Sequence, residues 1–186
     1  MGNVLPHNFF FFFFFFCFFF FTLLNPTSSH AKKPTELVKS ICKNTTIYAF
    51  CVDALYSDPR TPTADAYVLA FISFDLAYLN ATNTRAYIQT LLSRHGSRPD
   101  SKLLKRCDRF YGEAVQALAL ALNDLDSESY SELASYAADS ARKARDCQAG
   151  FRGRDTDHSP LTRMNRDLRG LAKICIVISN IFTVSL

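Results

Sequence analysis

The sequence has little histidine and little glycine, and both shortages limit the chemistry it can perform. Only His95 and His158 lie outside the first 31 residues, and neither is followed three or four positions later by the histidine or carboxylate that a metal site on a bundle helix needs. The six glycines are too scattered to form a phosphate-binding loop, and the motifs G-x-S-x-G and H-E-x-x-H are missing. The sequence therefore predicts a protein that is not an enzyme and holds no metal or cofactor.

The first 31 residues contain no Asp, Glu, Lys or Arg, and residues 9–21 are phenylalanine throughout except for Cys17. This apolar run has the length of the hydrophobic region of a signal peptide and is shorter than the roughly 20 residues of a membrane-spanning helix. Ser29 and Ala31 supply small residues at the −3 and −1 positions of a cleavage site. Residues 1–31 are therefore predicted to be a signal peptide, so that the protein is secreted and has no membrane contact after cleavage. An uncleaved signal anchor is the alternative.

The charge balance is mildly basic, with 21 Lys and Arg against 17 Asp and Glu and a net charge of +4. No block of Lys and Arg is dense enough to predict a nucleic-acid partner. Six basic residues near the C-terminus are candidates for a contact with an anionic polymer: Arg152, Arg154, Arg163, Arg166, Arg169 and Lys173. An ordinary solvated helix face is the alternative.

Four segments after residue 62 carry apolar residues at alternating steps of three and four, the pattern of an amphipathic helix. These segments are residues 63–95, 100–125, 129–150 and 159–182. The predicted core line of the first segment is Leu69, Ile72, Leu76 and Leu79. No strand pattern of comparable length is present. Helices joined by short polar links predict an all-α fold, with an antiparallel four-helix bundle over residues 63–186.

Residues 32–62 precede the bundle and are predicted to form a helical hairpin that belongs to the same domain. Two short apolar clusters, around residues 37–41 and 50–56, flank a bend at Asn44-Thr45-Thr46. Helices of two turns are marginal in water on their own. Because Cys42 and Cys51 lie close to these two clusters, a disulfide between them would staple a hairpin that has no core of its own.

Five cysteines follow the predicted signal peptide, and they permit fifteen ways of forming two disulfides. Cys107 lies near the start of the second bundle helix and Cys147 near the end of the third, so antiparallel packing brings the two level. The helix pattern therefore pairs Cys107 with Cys147 and leaves Cys42 for Cys51. Cys175 has apolar neighbours and is predicted to be a buried free thiol. A reactive or intermolecular Cys175 is the alternative.

Four stretches taken together resemble the plant invertase and pectin methylesterase inhibitor family. They are ICKNTTIYAFCVDALYSDPRTPTAD, LLKRCDRFYGEAV, DCQAGF and SPLTRMNRDLRGLAKI, and the resemblance covers about residues 34–182. It implies a four-helix bundle with an N-terminal hairpin, the same two disulfides and room for an extra free cysteine. It also implies a secreted protein of the cell wall (apoplast) that blocks a carbohydrate-active enzyme without performing chemistry. The basic residues near the C-terminus then become candidates for a weak contact with pectin.

The resemblance also bears on the target enzyme. Invertase inhibitors of the family commonly carry Pro-Lys-Phe in the link between the second and third bundle helices, inserted towards the active site. This chain has DSESY at residues 126–130 instead. The difference favours pectin methylesterase as the target, with cell-wall or vacuolar acid invertase as the alternative.

Two sets of side chains are candidates for contacts outside the chain. Asn44 and Asn80 stand in N-x-T sequons and are candidate N-glycosylation sites. Four aromatic residues on the first bundle helix, partly off its predicted core line, form a candidate partner surface: Tyr67, Phe71, Phe74 and Tyr78. Packing of these aromatics in the core or under the hairpin is the alternative.

Two functions of another class stay open. A helical bundle could carry a small ligand if its many alanines left a cavity, although close helix packing explains the alanines more simply. It could also self-associate, through Cys175 or through the aromatic residues.

Overall fold

The structure, a computed structural model, describes residues 33–94, 100–152 and 159–183. Six α-helices account for most of these residues, and no strand occurs within those ranges. All six helices lie in the compact unit Pro34–Leu186. The predicted signal peptide lies outside the described residues, as do His95, Arg154 and His158.

The helices form a hairpin and a bundle. The hairpin consists of α1 (Glu36–Lys43) and α2 (Tyr48–Tyr56), and a 3-10 turn at Thr61–Thr63 leads from it into the bundle. The bundle helices are α3 (Ala66–Arg94), α4 (Ser101–Asp126), α5 (Leu133–Ala149) and α6 (Thr162–Thr183). The prediction of an all-α fold, with a four-helix bundle, an N-terminal hairpin and two disulfides, is confirmed.

The longest and the last bundle helix both begin at side-chain caps that the sequence indicates. The Asp65 carboxylate accepts a hydrogen bond from the backbone N–H of Val68 at 2.8 Å, at the start of α3. The Ser159 hydroxyl accepts one from the N–H of Leu161 at 3.1 Å, just ahead of α6. Such caps satisfy backbone donors that have no partner inside the helix.

Consecutive bundle helices are antiparallel neighbours. The Tyr67 hydroxyl, near the start of α3, donates to the Leu125 carbonyl near the end of α4 at 3.4 Å, whereas Arg85 pairs with Asp108 near the start of α4. α6 packs against both α5 and α3, while α3 and α5, like α4 and α6, lie diagonally and their backbones come close at few points. The four helices therefore stand at the corners of a square. The α3–α4 seam lies on the opposite side of the bundle from the α5–α6 seam.

The core line of α3 departs from the predicted one towards its end. Leu69 and Ile72 are fully buried, but Leu79 is 47 % exposed, and Ala77 and Ala81 occupy the buried positions. Steps of three, four and three average about 3.3 residues per turn, which is less than the 3.6 of an α-helix. By residue 79 the predicted line had therefore rotated out of the core.

The hairpin shares the core of the bundle. Val38, Ile41 and Leu55 are buried in the same apolar cluster as the bundle residues. The Phe50 ring of α2 lies against Gly170 of α6 so closely that a Cβ on Gly170 would come within 2.7 Å of it. A hairpin with few buried residues thus depends on α6 for its position.

The hairpin and the bundle each contain one disulfide. Cys42 is bonded to Cys51 across the hairpin, with Cα atoms 5.5 Å apart. Cys107 of α4 is bonded to Cys147 of α5, with Cα atoms 5.0 Å apart. These are the pairs that the helix pattern and the family resemblance imply. Cys175 is a buried free thiol.

Candidate functional site

Three half-buried aromatic side chains line the seam between α3 and α4. Tyr67, Phe71 and Tyr78 are separated by four and seven positions, so they share one face of α3. Arg85, seven positions after Tyr78, continues this face to its ion pair with Asp108 of α4 at 3.3 Å. We call Tyr67, Phe71 and Tyr78 the aromatic seam. Such side chains offer a large apolar area to a partner while their packed parts keep them in place.

Phe74 does not belong to this surface. It was predicted as a partner residue, but it is 0 % exposed, and that prediction is wrong. Because α3 packs against both α4 and α6, more than one stripe of the helix is covered. Ala70 and Ala77, which share the face of Phe74, are fully buried as well.

Sequence reasoning missed two exposed apolar side chains in the bundle. Leu79 of α3 directly follows Tyr78 and borders the aromatic seam, and Leu120 of α4 is 50 % exposed. A leucine at helical spacing is normally assigned to the core, but the true helical period already rotates Leu79 away from the line through Leu69 and Ile72, and Leu120 lies two positions after the buried Leu118, on a different face.

A basic groove of about 510 Å³ runs between α5 and α6 and is closed at one end by the turn between α1 and α2. Five cationic side chains line it: Arg142, Arg145, Arg166, Arg169 and Lys173. Its other walls are small or aliphatic, formed by Ile47, Ala138, Ala141, Gly170 and Ile176 together with Thr46. Among the described residues, none of those that line the groove is acidic. We call this concavity the basic groove.

Three of the five cations have half-buried carboxylate neighbours outside the groove. Arg142 pairs with Asp139, Arg145 with Asp146 at 3.7 Å, and Arg166 with Asp167 at 3.4 Å. Ion pairs at this degree of exposure hold their partners weakly. Arg169 and Lys173 have no carboxylate within 4.0 Å among the described residues.

The predicted set of basic residues overlaps this groove only in part. Arg166, Arg169 and Lys173 line it, whereas Arg152 and Arg163 are exposed elsewhere and Arg154 lies outside the described residues. Arg142 and Arg145 were missed because they belong to a different helix. Their spacing of three on an alanine-rich segment placed them on one face, but nothing in the sequence showed that this face meets α6.

A buried polar chain connects three bundle helices. The Tyr111 hydroxyl of α4 donates to Oδ1 of Asn165 at 2.8 Å, and Nδ2 of Asn165 donates to Oε1 of Gln148 at 2.7 Å. Burial raises the pKa of the Tyr111 hydroxyl far above its ordinary value, so it stays protonated and remains a donor. This chain ties α6 to α4 and α5 and has no exposed reactive group.

Cys175 is fully buried on the inner face of α6. Burial raises the pKa of its thiol to about 12, although Ser73 of α3 contributes a hydrogen bond that opposes the shift. A thiol in this position is neither ionised nor accessible, which fits a small core residue.

The two sequons have different surroundings. Asn44 is exposed at the turn between α1 and α2, where its Nδ2 donates to the Ser40 carbonyl at 2.9 Å. Asn80 is half-buried within α3, and its Oδ1, like Oγ1 of Thr82, is buried without a hydrogen-bond partner. Only Asn44 stands at a site that is open on the surface.

Neither a group of metal ligands nor a membrane-spanning helix occurs within the described ranges. There, no group of three or more His, Cys, Asp or Glu side chains is placed to hold a metal ion. No helix in that part of the chain has the length and apolar character to cross a membrane. His95 and His158 lie outside the described residues.

Comparison with known proteins identifies the family. The family model described as plant invertase/pectin methylesterase inhibitor matches residues 36–178. The chain belongs to this inhibitor family. One relative, the cell wall / vacuolar inhibitor of fructosidase 2 of Arabidopsis thaliana, is 38 % identical over 79 % of this chain and 82 % of its own. Another, the pectinesterase inhibitor of Actinidia deliciosa, is 31 % identical over 81 % of each.

A solved structure of the inhibitor family shares the fold. The crystal structure of a mutant form of an Arabidopsis pectin methylesterase inhibitor matches with a TM-score of 0.69, covering 78 % of this chain and 97 % of that one at 23 % identity. The bundle with its N-terminal hairpin is therefore the fold of the family.

The family's marker stretches have structural roles in this chain. In Ser-Asp-Pro-Arg, the Asp58 carboxylate accepts hydrogen bonds from the backbone N–H and guanidinium of Arg60, which lower its pKa. In Ser-Pro-Leu-Thr-x-x-Asn, Ser159 caps the entry to α6 and Asn165 belongs to the buried polar chain. Both stretches hold the scaffold, so they identify the inhibitor family without identifying its target.

Proposed function

We propose that the protein is a secreted inhibitor that docks on pectin methylesterase in the cell wall and covers its substrate cleft. The observation that carries this proposal is the family match over residues 36–178. A protein inhibitor needs a rigid, pre-organised surface, because ordering a mobile one on binding lowers affinity. The square bundle, cross-linked by Cys107–Cys147, supplies such a surface. The apolar first 31 residues and the cell-wall name of one relative support the location.

The link between α4 and α5 favours pectin methylesterase over invertase. It lacks the Pro-Lys-Phe element that the resemblance associates with invertase inhibitors. Its aromatic side chain, Tyr130, stacks on Phe182 of α6 with ring centroids 4.6 Å apart. The link is therefore folded back onto the bundle, and its aromatic residue is engaged there.

Acid invertase is the second candidate target. The relative that is 38 % identical is named as an inhibitor of fructosidase, and two Platanus relatives are named as putative invertase inhibitors. These names support an enzyme that hydrolyses fructosides as the target. This candidate requires that an invertase can be bound without the Pro-Lys-Phe element.

One titration decides between these targets. Plant cells express the whole chain, and the secreted, oxidised protein is added to a pectin methylesterase and, separately, to an acid invertase at mildly acidic pH. We expect saturable, near-stoichiometric loss of methylesterase activity. Saturable loss of invertase activity alone would move the assignment to the second candidate. If a folded helical protein left both enzymes fully active, the inhibitor proposal would be wrong, and a ligand-carrying or self-associating bundle would take its place.

The aromatic seam is the proposed enzyme-contacting surface. Tyr78→Ser removes the ring beside the exposed Leu79 and is expected to weaken inhibition by about tenfold, the size of effect found for a central aromatic anchor. The matched control is Tyr87→Ser, because Tyr87 is an exposed tyrosine that lies nine positions after the half-buried Tyr78, on the opposite side of the same helix.

The readout is the inhibition constant, measured beside a circular-dichroism melt that checks folding. Tyr78→Phe keeps the ring and should inhibit like the original protein. Equal losses in the Tyr78→Ser and Tyr87→Ser proteins would show that the seam is not the contact surface.

Two further properties are proposed for the secreted form. Asn44 carries an N-linked glycan, because it is an exposed turn residue, whereas the half-buried Asn80 is the poorer acceptor of the two. The basic residues of α6 make a weak contact with pectin. A mass shift on deglycosylation that disappears in Asn44→Gln but persists in Asn80→Gln would support the first of these.

A further inference from the structure

We propose that the basic groove between α5 and α6 binds a polyuronate chain, that is, a polysaccharide carrying one free carboxylate per sugar, such as de-esterified pectin. The proposal rests on the proposed location in the cell wall and not on the identity of the target enzyme. It gives the weak pectin contact a defined site, made by two helices and the hairpin turn.

The cations of the groove provide the charge recognition. Arg169 and Lys173 are exposed, line the groove and have no carboxylate partner among the described residues. Arg166, Arg169 and Lys173 follow one another at steps of three and four along α6, so they form a row on a single helix face. Arg142 and Arg145 form the facing row on α5. Two parallel rows of cations match a linear polyanion better than a single small anion.

Guanidinium groups also suit this particular anion. A planar guanidinium binds a carboxylate through two parallel hydrogen bonds, and such charge-assisted bonds are stronger than neutral ones. Four of the five cations in the groove are arginines. Arg142, Arg145 and Arg166 already pair with half-buried carboxylates of their own helices, whereas Arg169 and Lys173 have no such partner among the described residues and are open to a uronate.

The walls of the groove favour a sugar chain over a nucleic acid. Apart from the cations, the described residues that line the groove are alanine, glycine, isoleucine and threonine, and none of them is aromatic. Single-stranded nucleic acids are normally held by aromatic side chains on which bases stack. Small aliphatic walls instead give flat apolar contact for the C–H faces of sugar rings, while the carboxylates reach the cations at the rim.

The position of the groove leaves the proposed enzyme contact free. The aromatic seam lies between α3 and α4, on the opposite side of the square bundle from the α5–α6 groove. A single molecule could therefore hold the polymer on one side and the enzyme on the other. Because de-esterification by a pectin methylesterase creates free carboxylates, the groove would concentrate the inhibitor where that reaction has already occurred.

A second concavity and a sequon adjoin the groove. A cavity of about 400 Å³ shares Lys173 and Ile176 with it and is lined by Asn44, while Thr46 of the same sequon lines the groove itself. A glycan on Asn44 would thus lie beside the binding site. All proteins used to test the proposal therefore carry Asn44→Gln, so that glycan occupancy is the same in each.

The test measures binding in the absence of any enzyme. The secreted protein is titrated calorimetrically with a fully de-esterified oligogalacturonate, with its fully methyl-esterified counterpart and with a single-stranded oligonucleotide of equal charge. We expect saturable binding to the de-esterified oligomer, weakened by added salt as for any contact between exposed charges, and at least tenfold weaker binding to the other two probes, roughly the loss of one charge-assisted contact. Equal binding to the oligonucleotide would reveal non-specific cation exchange and overturn the proposal. Equal binding to the esterified oligomer would rule out carboxylate recognition.

The groove variant is Arg169→Gln combined with Lys173→Gln. Both side chains are exposed, so folding is expected to be retained, and affinity for the de-esterified oligomer should fall by about tenfold or more. The matched control is Lys105→Gln combined with Arg106→Gln, which removes one lysine and one arginine from the exposed face of α4. Equal losses of affinity in the two double variants would show that binding depends on net charge and not on the groove.

Inhibition assays keep this proposal separate from the proposed function. The groove variant should inhibit the target enzyme as strongly as the original protein when a short neutral ester is the substrate. If the chain inhibited neither enzyme but still bound the uronate oligomer through Arg169 and Lys173, the groove proposal would stand while the inhibitor proposal failed. Inhibition without saturable oligomer binding would support the inhibitor proposal and overturn the groove proposal.

Discussion

At the scale of single residues, the free cysteine shows how burial decides reactivity. Cys175 is the one cysteine of the described residues outside the two disulfides, and an odd unpaired cysteine suggests a reactive thiol. Its side chain is 0 % exposed and its thiol pKa is raised to about 12 by burial. Alkylation needs both access and the thiolate, and this site supplies neither. The same burial argues against an intermolecular disulfide through Cys175.

Cys175 should therefore resist alkylation in the folded protein. Iodoacetamide at mildly alkaline pH is expected to leave it unlabelled until denaturant unfolds the chain, when the label appears without any reductant. The measurement is the mass of the peptide that contains Cys175. Labelling in the native state at the rate of an exposed cysteine would contradict the buried position.

Phe74 shows the same effect of burial on a predicted contact residue. Phe74 and Phe71 both lie off the predicted core line of α3, yet Phe71 remains half-buried at the seam whereas Phe74 is fully buried. The difference arises because α3 has two helical neighbours in the bundle. A residue between two neighbours is covered whether or not it lies on the principal apolar stripe.

At the scale of elements, the hairpin depends on one glycine of the bundle. A Cβ at Gly170 would lie 2.7 Å from Cε1 and 3.1 Å from Cζ of Phe50, too close for either ring carbon. Phe50 packs against the common core, so its ring has little room to withdraw. Gly170 therefore allows α2 to approach α6, although glycine is an unfavourable residue within a helix.

Gly170→Ala is expected to loosen the hairpin and leave the bundle intact. The substitution improves helix propensity by about 1 kcal/mol but displaces Phe50, so amide hydrogen exchange should accelerate in α1 and α2 and stay slow in α4. The matched control is Gly112→Ala in α4, where the new Cβ meets only the movable guanidinium of Arg85 at 3.3 Å. Unchanged protection of the hairpin in Gly170→Ala would show that the close approach of Phe50 has no energetic role.

At the scale of the whole molecule, the two disulfides act on different parts of the fold. Cys107–Cys147 closes a loop of 40 positions and links two bundle helices, whereas Cys42–Cys51 closes one of 9 positions inside the hairpin. In the chain-entropy description, the longer loop removes more conformational freedom from the unfolded state. The first bond should therefore govern global stability, and the second should govern the local order of the hairpin.

Replacement of Cys107 and Cys147 by alanine should lower the free energy of unfolding by about 4 kcal/mol in this description. Replacement of Cys42 and Cys51 should cost less, about 3 kcal/mol at most by the same relation. Alanine is preferred to serine because all four sites are buried, and a hydroxyl there would lack a partner. Urea unfolding followed by circular dichroism measures both effects. If the Cys42/Cys51 variant lost more free energy of unfolding than the Cys107/Cys147 variant, the hairpin disulfide would be the one that governs global stability.

The sequence by itself determined the elements and their pairing. Apolar spacing located four bundle helices and a short hairpin ahead of them, and the positions of Cys107 and Cys147 on antiparallel helices paired these two cysteines. These features are local or depend only on neighbouring helices, so short-range rules suffice. The resemblance of a few stretches to one inhibitor family added the class of partner.

Only the tertiary structure decided which faces are covered and which side chains meet. Helical periodicity sets the direction of a side chain but not the number of neighbours around its helix, so it could not show that Phe74, which lies off the principal apolar line, is buried. The basic groove likewise requires α5, α6 and the turn at Thr46 to converge, and no spacing within one segment reports that meeting. The physical reason is that burial and electrostatic potential are sums over residues distant in sequence, which come together only when the chain has folded.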